Sequence, residues 1–352
     1  MVPARVLQAL AAPTIGHLDP SFIAVMDDVK ALLRPIFCTT NEFTVPVSGT
    51  GSAGMEAGLA NFIEPGDPVV IAVKGYFGER MVEMASRYGA EVTRLDRPWG
   101  EVFDPEEITQ ALKKQTYKFV AMVHGETSTG VLQPHVEAIA AAAHDQGALL
   151  VLDTVATLGG VPVDVDGWQV DICYAGSQKC LSAPPGLAPI TLSPRALETL
   201  RRRKSKVTSW YLDLQALDGY WAGGQRVYHH TAPVNMNYAL REALRIVLEE
   251  GLPARFARHA EVARQLWTGL EALDAPPRAP LAIRNPSLTT AVVPRGVDEP
   301  TVRRRLLREY NIEIAGGFGP LAGQVWRIGL MGHSARLENV EMLLSALRDV
   351  LS

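Results

Sequence analysis

Cysteine is scarce in this chain: Cys38, Cys173 and Cys180 are its three cysteines in 352 residues, too few and too scattered for a disulfide framework or a zinc site. A surplus of positive charge is also missing. The formal net charge is −4, from 34 Lys and Arg against 38 Asp and Glu. That balance argues against a general nucleic-acid or membrane-surface binder, which would be basic. Two arginine-rich runs, Arg201-Arg202-Arg203-Lys204 and Arg303-Arg304-Arg305, are expected to be solvated helix faces. No stretch of about 18 apolar residues occurs, and the first residues lack the charged-then-apolar pattern of a secretory signal. Cytoplasmic location is the expectation, with no membrane, nucleic acid or metal involved. Repeats and low-complexity segments are absent too.

What the chain does have is apolar residues, 47% of the total, enough for a large domain and a smaller one. Short Val/Ile/Leu runs alternate with longer amphipathic stretches. Strands are predicted at residues 69–73, 91–95, 119–123, 148–152, 172–175 and 188–192. Helices are predicted at 78–88 and 134–146, each followed by glycine, and another opens at Asp104-Pro105-Glu106-Glu107, with Asp as cap and Pro at the first helical position. Continuous apolar strands separated by helices indicate a mainly parallel sheet covered on both faces. Beyond residue 235 long helices are expected at 238–250 and 254–273. A compact α+β unit follows a Pro-rich connector, with strands at 289–293, 312–314 and 324–330 and helices at 300–310 and 337–351. The expected division is a large domain over residues 1–250 and a small one over 251–352.

Ligands of such sheets bind beyond the carboxyl ends of the strands, and three consecutive strand ends carry polar groups: His124-Gly125-Glu126-Thr127, Asp153-Thr154 and Ser177-Gln178-Lys179. Lys179 sits among small and neutral residues, where desolvation favours a free amine able to form an imine. Asp153 ends a buried strand, where an acid can hold a pyridine nitrogen protonated. This pairing suits an aldehyde cofactor with a pyridine ring. A glycine- and hydroxyl-rich turn, Ser48-Gly49-Thr50-Gly51-Ser52, opens an apolar helix and offers backbone N–H groups to a phosphate. It is not a Walker loop, because no Lys-Ser/Thr follows at that spacing. Taken singly, each feature has an ordinary explanation as a loop, a strand-end cap or a surface lysine; their conjunction carries the reading.

Several stretches match a known family. They are His124-Gly125-Glu126-Thr127-Ser128-Thr129-Gly130-Val131, Gly176-Ser177-Gln178-Lys179, Ala183-Pro184-Pro185-Gly186, Tyr228-His229-His230-Thr231 and Trp326-Arg327-Ile328-Gly329-Leu330-Met331-Gly332. Through them the chain resembles, over essentially its whole length, the class V aminotransferases of pyridoxal-phosphate (PLP) fold type I, most closely the alanine–glyoxylate and serine–pyruvate or serine–glyoxylate branch. The resemblance implies a large α/β domain with a mainly parallel seven-stranded sheet between helices, plus a smaller C-terminal α+β domain. It implies that Lys179 carries pyridoxal 5'-phosphate and shuttles the substrate proton. Asp153 would pair with the ring nitrogen and Val155 would pack on one ring face. Phe77 stands where close relatives have a stacking tryptophan. Thr50, Gly51, Ser52 and Gln178 would bind the phosphate, although Ser52 replaces a histidine found in some relatives. Thr127 would bond near the cofactor oxygen or the substrate. Tyr228 and Thr231 would reach the phosphate of the partner subunit, making a homodimer with shared active sites, and Arg327 would clamp the substrate α-carboxylate.

The implied activity is ping-pong transfer of an amino group from a small amino acid, serine or alanine, to a small 2-oxo acid, glyoxylate or pyruvate. Other readings on the same fold stay open: an unusual donor of the ureidoglycine or pyridoxamine type, a lyase or desulfurase, or a non-catalytic relative. Desulfurases of this fold need a cysteine far downstream of the lysine, and no cysteine here lies beyond residue 180. Relatives carry a Gly-Pro-Gly-Pro segment ahead of the Val-Pro found at Val2-Pro3. The expectation is that the start at Met1 was assigned inside a longer reading frame.

Overall fold

The computed structural model describes residues 1–221 and 226–352, and every element and count below refers to them. Helices α1 (Ala4–Leu10) and α2 (Pro20–Phe37) precede the first strand, β1 (Thr44–Ser48). None of the three was among the segments predicted from the apolar pattern. The start of α2 nevertheless has ordinary signals: Asp19 accepts from the Ser21 N–H at 2.7 Å and Pro20 takes the first helical position. Its buried face is Phe22, Val25, Met26, Val29, Leu33 and Ile36, at helical spacing.

The expected alternation follows: α3 (Gly51–Ala60), β2 (Pro68–Val73), α4 (Tyr76–Arg87), β3 (Glu91–Asp96), α5 (Pro105–Leu112) and β4 (Phe119–Val123). The hairpin β5 (Gly125–Glu126) and β6 (Val131–Leu132), then α6 (Val136–Asp145), β7 (Leu149–Asp153), β8 (Ile172–Tyr174) and β9 (Leu187–Leu192), complete the large body. At the start of α5, Asp104 accepts from the Glu106 N–H at 3.0 Å while Glu107 accepts from the Asp104 N–H at 2.9 Å, a reciprocal cap. The seven main strands form one sheet in the order β1-β9-β8-β7-β4-β2-β3. Five neighbours run parallel, from β8 to β3, and β9 alone is reversed, pairing antiparallel with both β8 and β1. The sheet is therefore mixed but mainly parallel, as the continuous apolar strands imply. After β3 the chain crosses to the other side of β2, so the carboxyl ends of β2 and β4 flank a crevice of the kind where such sheets bind ligands.

The chain continues through α7 (Pro194–Arg201), α8 (Leu214–Trp221), α9 (Val234–Glu250) and α10 (Leu252–Glu271). It ends with β10 (Leu288–Val292), α11 (Glu299–Tyr310), β11 (Ala315–Gly316), β12 (Val325–Gly329) and α12 (Leu337–Leu351), the three strands forming an antiparallel sheet in the order β10-β12-β11. One expectation is corrected here. Residues 312–314 are not a strand; pairing begins at Ala315, opposite Arg327. Asn311 ends α11 in the left-handed conformation (φ 56°), and the redirected chain reaches the ladder only at Ala315, four residues later.

Two apolar cores are present. One lies around the large sheet and its helices as far as Val247. The other is built from α10, α11, α12 and the small sheet, with Trp326 fully buried. The arginine runs lie on the ends and faces of α7 and α11, where Arg303 and Arg305 pair with Glu299 and Glu309 one turn away. Among the described residues no helix is long and apolar enough to cross a membrane, and no group of three His, Cys, Asp or Glu could hold a metal ion.

Candidate active site

The carboxyl ends of β4, β7 and β8 lie level, because Val123 pairs with Asp153 and Asp153 with Tyr174. The loops leaving them enclose a cavity of about 210 Å³. Lys179 and Asp153 both line it, the first from the turn after β8, the second from the last residue of β7. So do Thr50, Gly51 and Ser52 at the start of α3, and Phe77 in the first turn of α4. Thr127, Val155 and Gln178 complete the set of predicted residues that converge here.

Local chemistry sets each position. The Lys179 loop is held by Ser177, whose hydroxyl donates to Pro184 O at 2.6 Å while its backbone oxygen accepts from Ala183 N at 2.9 Å. In the first turn of α3, Ala53 N donates to Thr50 O at 2.7 Å, while the N–H groups of Gly51 and Ser52, residues that line the cavity, have no partner within the helix and sit at the positive end of its dipole. Gly51 is required by close approach: a Cβ there would lie 2.9 Å from a methyl of Val155. Asp153 accepts from the Val155 N–H at 2.8 Å, which fixes the carboxylate and the residue after it together.

Burial controls the protonation of both central groups. It lowers the Lys179 pKa from the usual lysine value, assisted by the Arg327 charge and opposed by Cys180 and Asp153. Burial likewise raises Asp153 to about 7, with the Glu126 charge adding to it and the Val155 N–H, the Tyr174 hydroxyl and Lys179 opposing. A fully buried carboxyl that lacks a close cation is costly unless a cation is supplied. The protonated nitrogen of a pyridine ring is such a cation. Gln178, which also lines the cavity, has its Oε1 buried without a hydrogen-bond partner among the described residues, a polar group left for something bound there. The amine, the acid, the helix N-terminus and the flanking Phe77 and Val155 thus fit a pyridine aldehyde phosphate.

Two predicted groups lie apart from this cavity. Arg327, on β12 of the small body, is half-buried. Its Nε donates to Gly316 O at 2.7 Å and its Nη1 reaches Thr127 O at 3.5 Å, so it stands at the rim beside a lining residue. Tyr228 and Thr231 are exposed and do not line it; their hydroxyls face each other at 3.4 Å. The same segment is tied to the phosphate turn by its neighbour His230, whose Nε2 lies 2.7 Å from Ser48 Oγ.

Some lining residues escaped sequence reasoning. Arg80 also lines the cavity, donating to Ser52 Oγ at 2.9 Å and lying over the rings of Phe77 and Tyr76. The residue lies one turn beyond Phe77 on α4, and that spacing is its only sequence signal. Glu126 is fully buried behind the site, accepting from the Ser128 hydroxyl at 2.6 Å and the Phe77 N–H at 3.3 Å, which pins the start of α4. Cys180 and Cys173 are buried and their thiols pushed up to about 11 and 12 by burial, so neither is a ready nucleophile.

The fold and this cavity define a PLP-dependent enzyme of fold type I. Residues 6–341 match the family model described as aminotransferase class-V. The (S)-ureidoglycine–glyoxylate transaminase of Bacillus subtilis is 44% identical, covering 99% of this chain and 88% of the relative. The alanine–glyoxylate aminotransferase of Drosophila melanogaster is 41% identical over 99% of this chain and 89% of its own length. The crystal structure of an alanine–glyoxylate aminotransferase from Nostoc sp. superposes with a TM-score of 0.98 at 50% identity, covering all of this chain and 93% of that one. The chain belongs to the class V aminotransferases, in the branch that holds the alanine–glyoxylate and ureidoglycine–glyoxylate enzymes, and PLP is its cofactor.

Proposed function

We propose that this transaminase moves the amino group of a small amino acid, alanine or serine, to a small 2-oxo acid, glyoxylate or pyruvate. PLP supplies the electron sink for the charge left when the substrate α-proton departs. The protein does the rest. Lys179 Nζ, whose pKa burial lowers, would hold the cofactor and, once displaced by the donor's amine, would take the α-proton and return it at C4′. Asp153 would keep the ring nitrogen protonated, and Phe77 and Val155, which line the same cavity, would hold the ring. Thr50, Gly51, Ser52 and Gln178 hold the phosphate, with Arg80 behind Ser52, and Thr127 bonds near the cofactor oxygen or the substrate. Arg327 offers its two outer nitrogens to the substrate carboxylate. The observation that carries this reading is the convergence of Lys179, Asp153 and the start of α3 in one cavity with Arg327 at its rim.

The working form is a homodimer, in which Tyr228 and Thr231 of each chain serve the other's phosphate; their exposure on a single chain supports this. The chain divides near residue 250 into a large and a small domain, and it acts in the cytoplasm. Ureidoglycine is the second donor to consider, because the Bacillus relative is described as acting on it. The test is a visible absorbance scan of the cofactor-loaded protein with alanine, serine and ureidoglycine in turn, followed by glyoxylate or pyruvate. The band of lysine-bound cofactor should fade with the preferred donor and return with the acceptor. A band that none of these donors moves would refute the proposed substrate class.

A further inference from the structure

Arg327 is a cation without a carboxylate partner among the described residues, yet it is held firmly. Its Nε is committed to Gly316 O, and its Cζ lies 3.8 Å from the centroid of the Phe318 ring. Phe318 in turn stacks on Tyr76 of the large body, with centroids 4.6 Å apart and planes at 25°. Tyr76 also lies 5.3 Å from the Arg80 guanidinium, whose Nη1 donates to Ser52 Oγ. Each ring of an aromatic pair that crosses from the small body to the large one is therefore in contact with a guanidinium. The tip carrying Phe318 is a tight loop. A Cβ on Gly317 would come within 2.0 Å of Leu321 O, so the loop closes back on itself and its position is set by backbone. Gly319, the next residue after Phe318, sits against the ring of Trp99 of the large body.

We propose that Phe318 is a positioning residue for carboxylate recognition: its ring face holds the Arg327 guanidinium in one plane, leaving the outer nitrogens aligned for a bidentate carboxylate. The inference rests on the reading of Arg327 as the carboxylate clamp. A half-buried guanidinium with one hydrogen-bonded edge still rotates about its last bonds. Contact of one face with an aromatic quadrupole stabilises a cation and restricts that rotation. The ordering is then complete before substrate arrives, which lowers the cost of binding. Donor and acceptor both carry a carboxylate next to the reacting carbon, so the effect must fall equally on both.

Steady-state kinetics of the cofactor-loaded enzyme, with the preferred small donor and glyoxylate each varied, tests this. Phe318→Leu keeps an apolar side chain without a π face. It is expected to raise both KM values by the same factor, about three- to tenfold, with kcat within about twofold. Phe318→Tyr restores the face and is expected to keep both KM values within about twofold of the parent. Arg327→Ala separates the two claims. If it leaves both KM values unchanged, the clamp reading itself fails. If it raises both while Phe318→Leu raises neither, the role given to Phe318 fails alone. A Phe318→Leu effect confined to one substrate, or one that scales with donor side-chain length, identifies the ring as a side-chain wall and overturns the proposal. So does an equal loss in the Phe318→Tyr variant.

Discussion

Lys179 and Asp153 are both driven toward their neutral forms by the same cause, removal from water, and each needs the cofactor to relieve it. Replacement of Lys179 by Ala should leave non-covalent cofactor binding but abolish the visible band of lysine-bound cofactor, and turnover should fall by several orders of magnitude. Near-normal transamination by that variant would remove Lys179 from the mechanism. Asp153 makes a pH-dependent prediction. Its folded-state pKa of about 7 lies above the ordinary carboxylate range, so in the cofactor-free protein the folded chain keeps a proton that the unfolded chain releases. Stability is therefore unaffected below about pH 4, falls as pH rises from about 4 to 7, and stays reduced above that. Asp153→Asn keeps the acceptor for the Val155 N–H but cannot ionise. Cofactor-free Asp153→Asn should melt above the parent at pH 8, by an amount worth at most a few kcal/mol, with the gap closing toward pH 4.5. Thermal melts across that range check it, and a gap that does not change with pH would show that the carboxyl is not raised. Loaded with cofactor, the same variant should have lost most of its activity.

At the scale of elements, the start of α3 offers backbone N–H donors at the positive end of a helix dipole, a fixed anion site that no single side-chain rotamer has to form. That depends on how closely Gly51 approaches Val155. Gly51→Ala puts a methyl 2.9 Å from the Val155 side chain, which must then shift within the cavity lining. Cofactor affinity should fall about tenfold while the melting point of the cofactor-free protein moves by only a few degrees, because alanine also favours the helix. Titration of the apo form with PLP checks the first and calorimetry the second. The β elements bear on legibility. Strands β2, β4 and β7 read directly from the sequence because both their faces are buried and their residues are apolar up to the terminal Asp153 of β7. The strand β1 did not, since Thr44, Pro46 and Ser48 break the apolar pattern. It is a strand because β9 pairs with it across 147 to 139 residues of chain, from Thr44–Thr191 to Ser48–Leu187.

The whole molecule raises the question of where a complete site resides. One chain brings the lysine, the acid, the phosphate turn and Arg327 together, but leaves Tyr228 and Thr231 on its surface. Mixing Lys179→Ala with Tyr228→Ala subunits should restore part of the activity that each lacks alone, because a hybrid dimer holds one site with both residues present. Activity measured on isolated heterodimers decides it, and no recovery there would argue against a shared site. The same segment is anchored by His230 at Ser48, so displacing it also disturbs the turn that opens α3 in its own chain.

The sequence by itself determined the alternation of buried strands and helices, the capped start of α5, and the polar groups at three strand ends, since these follow from local spacing and burial pattern. It also singled out Lys179 and Asp153, whose neutral surroundings are visible in their immediate neighbours. Only the tertiary structure decided that Val123, Asp153 and Tyr174 end level, that Arg80 stands behind Ser52, and that Phe318 lies between Arg327 and Tyr76. Those relations, apart from the nearby Phe318 and Arg327, join residues tens to hundreds apart, through strand register and the docking of the small body on the large one. Register and docking are set by the fit of whole faces, and no local pattern records them.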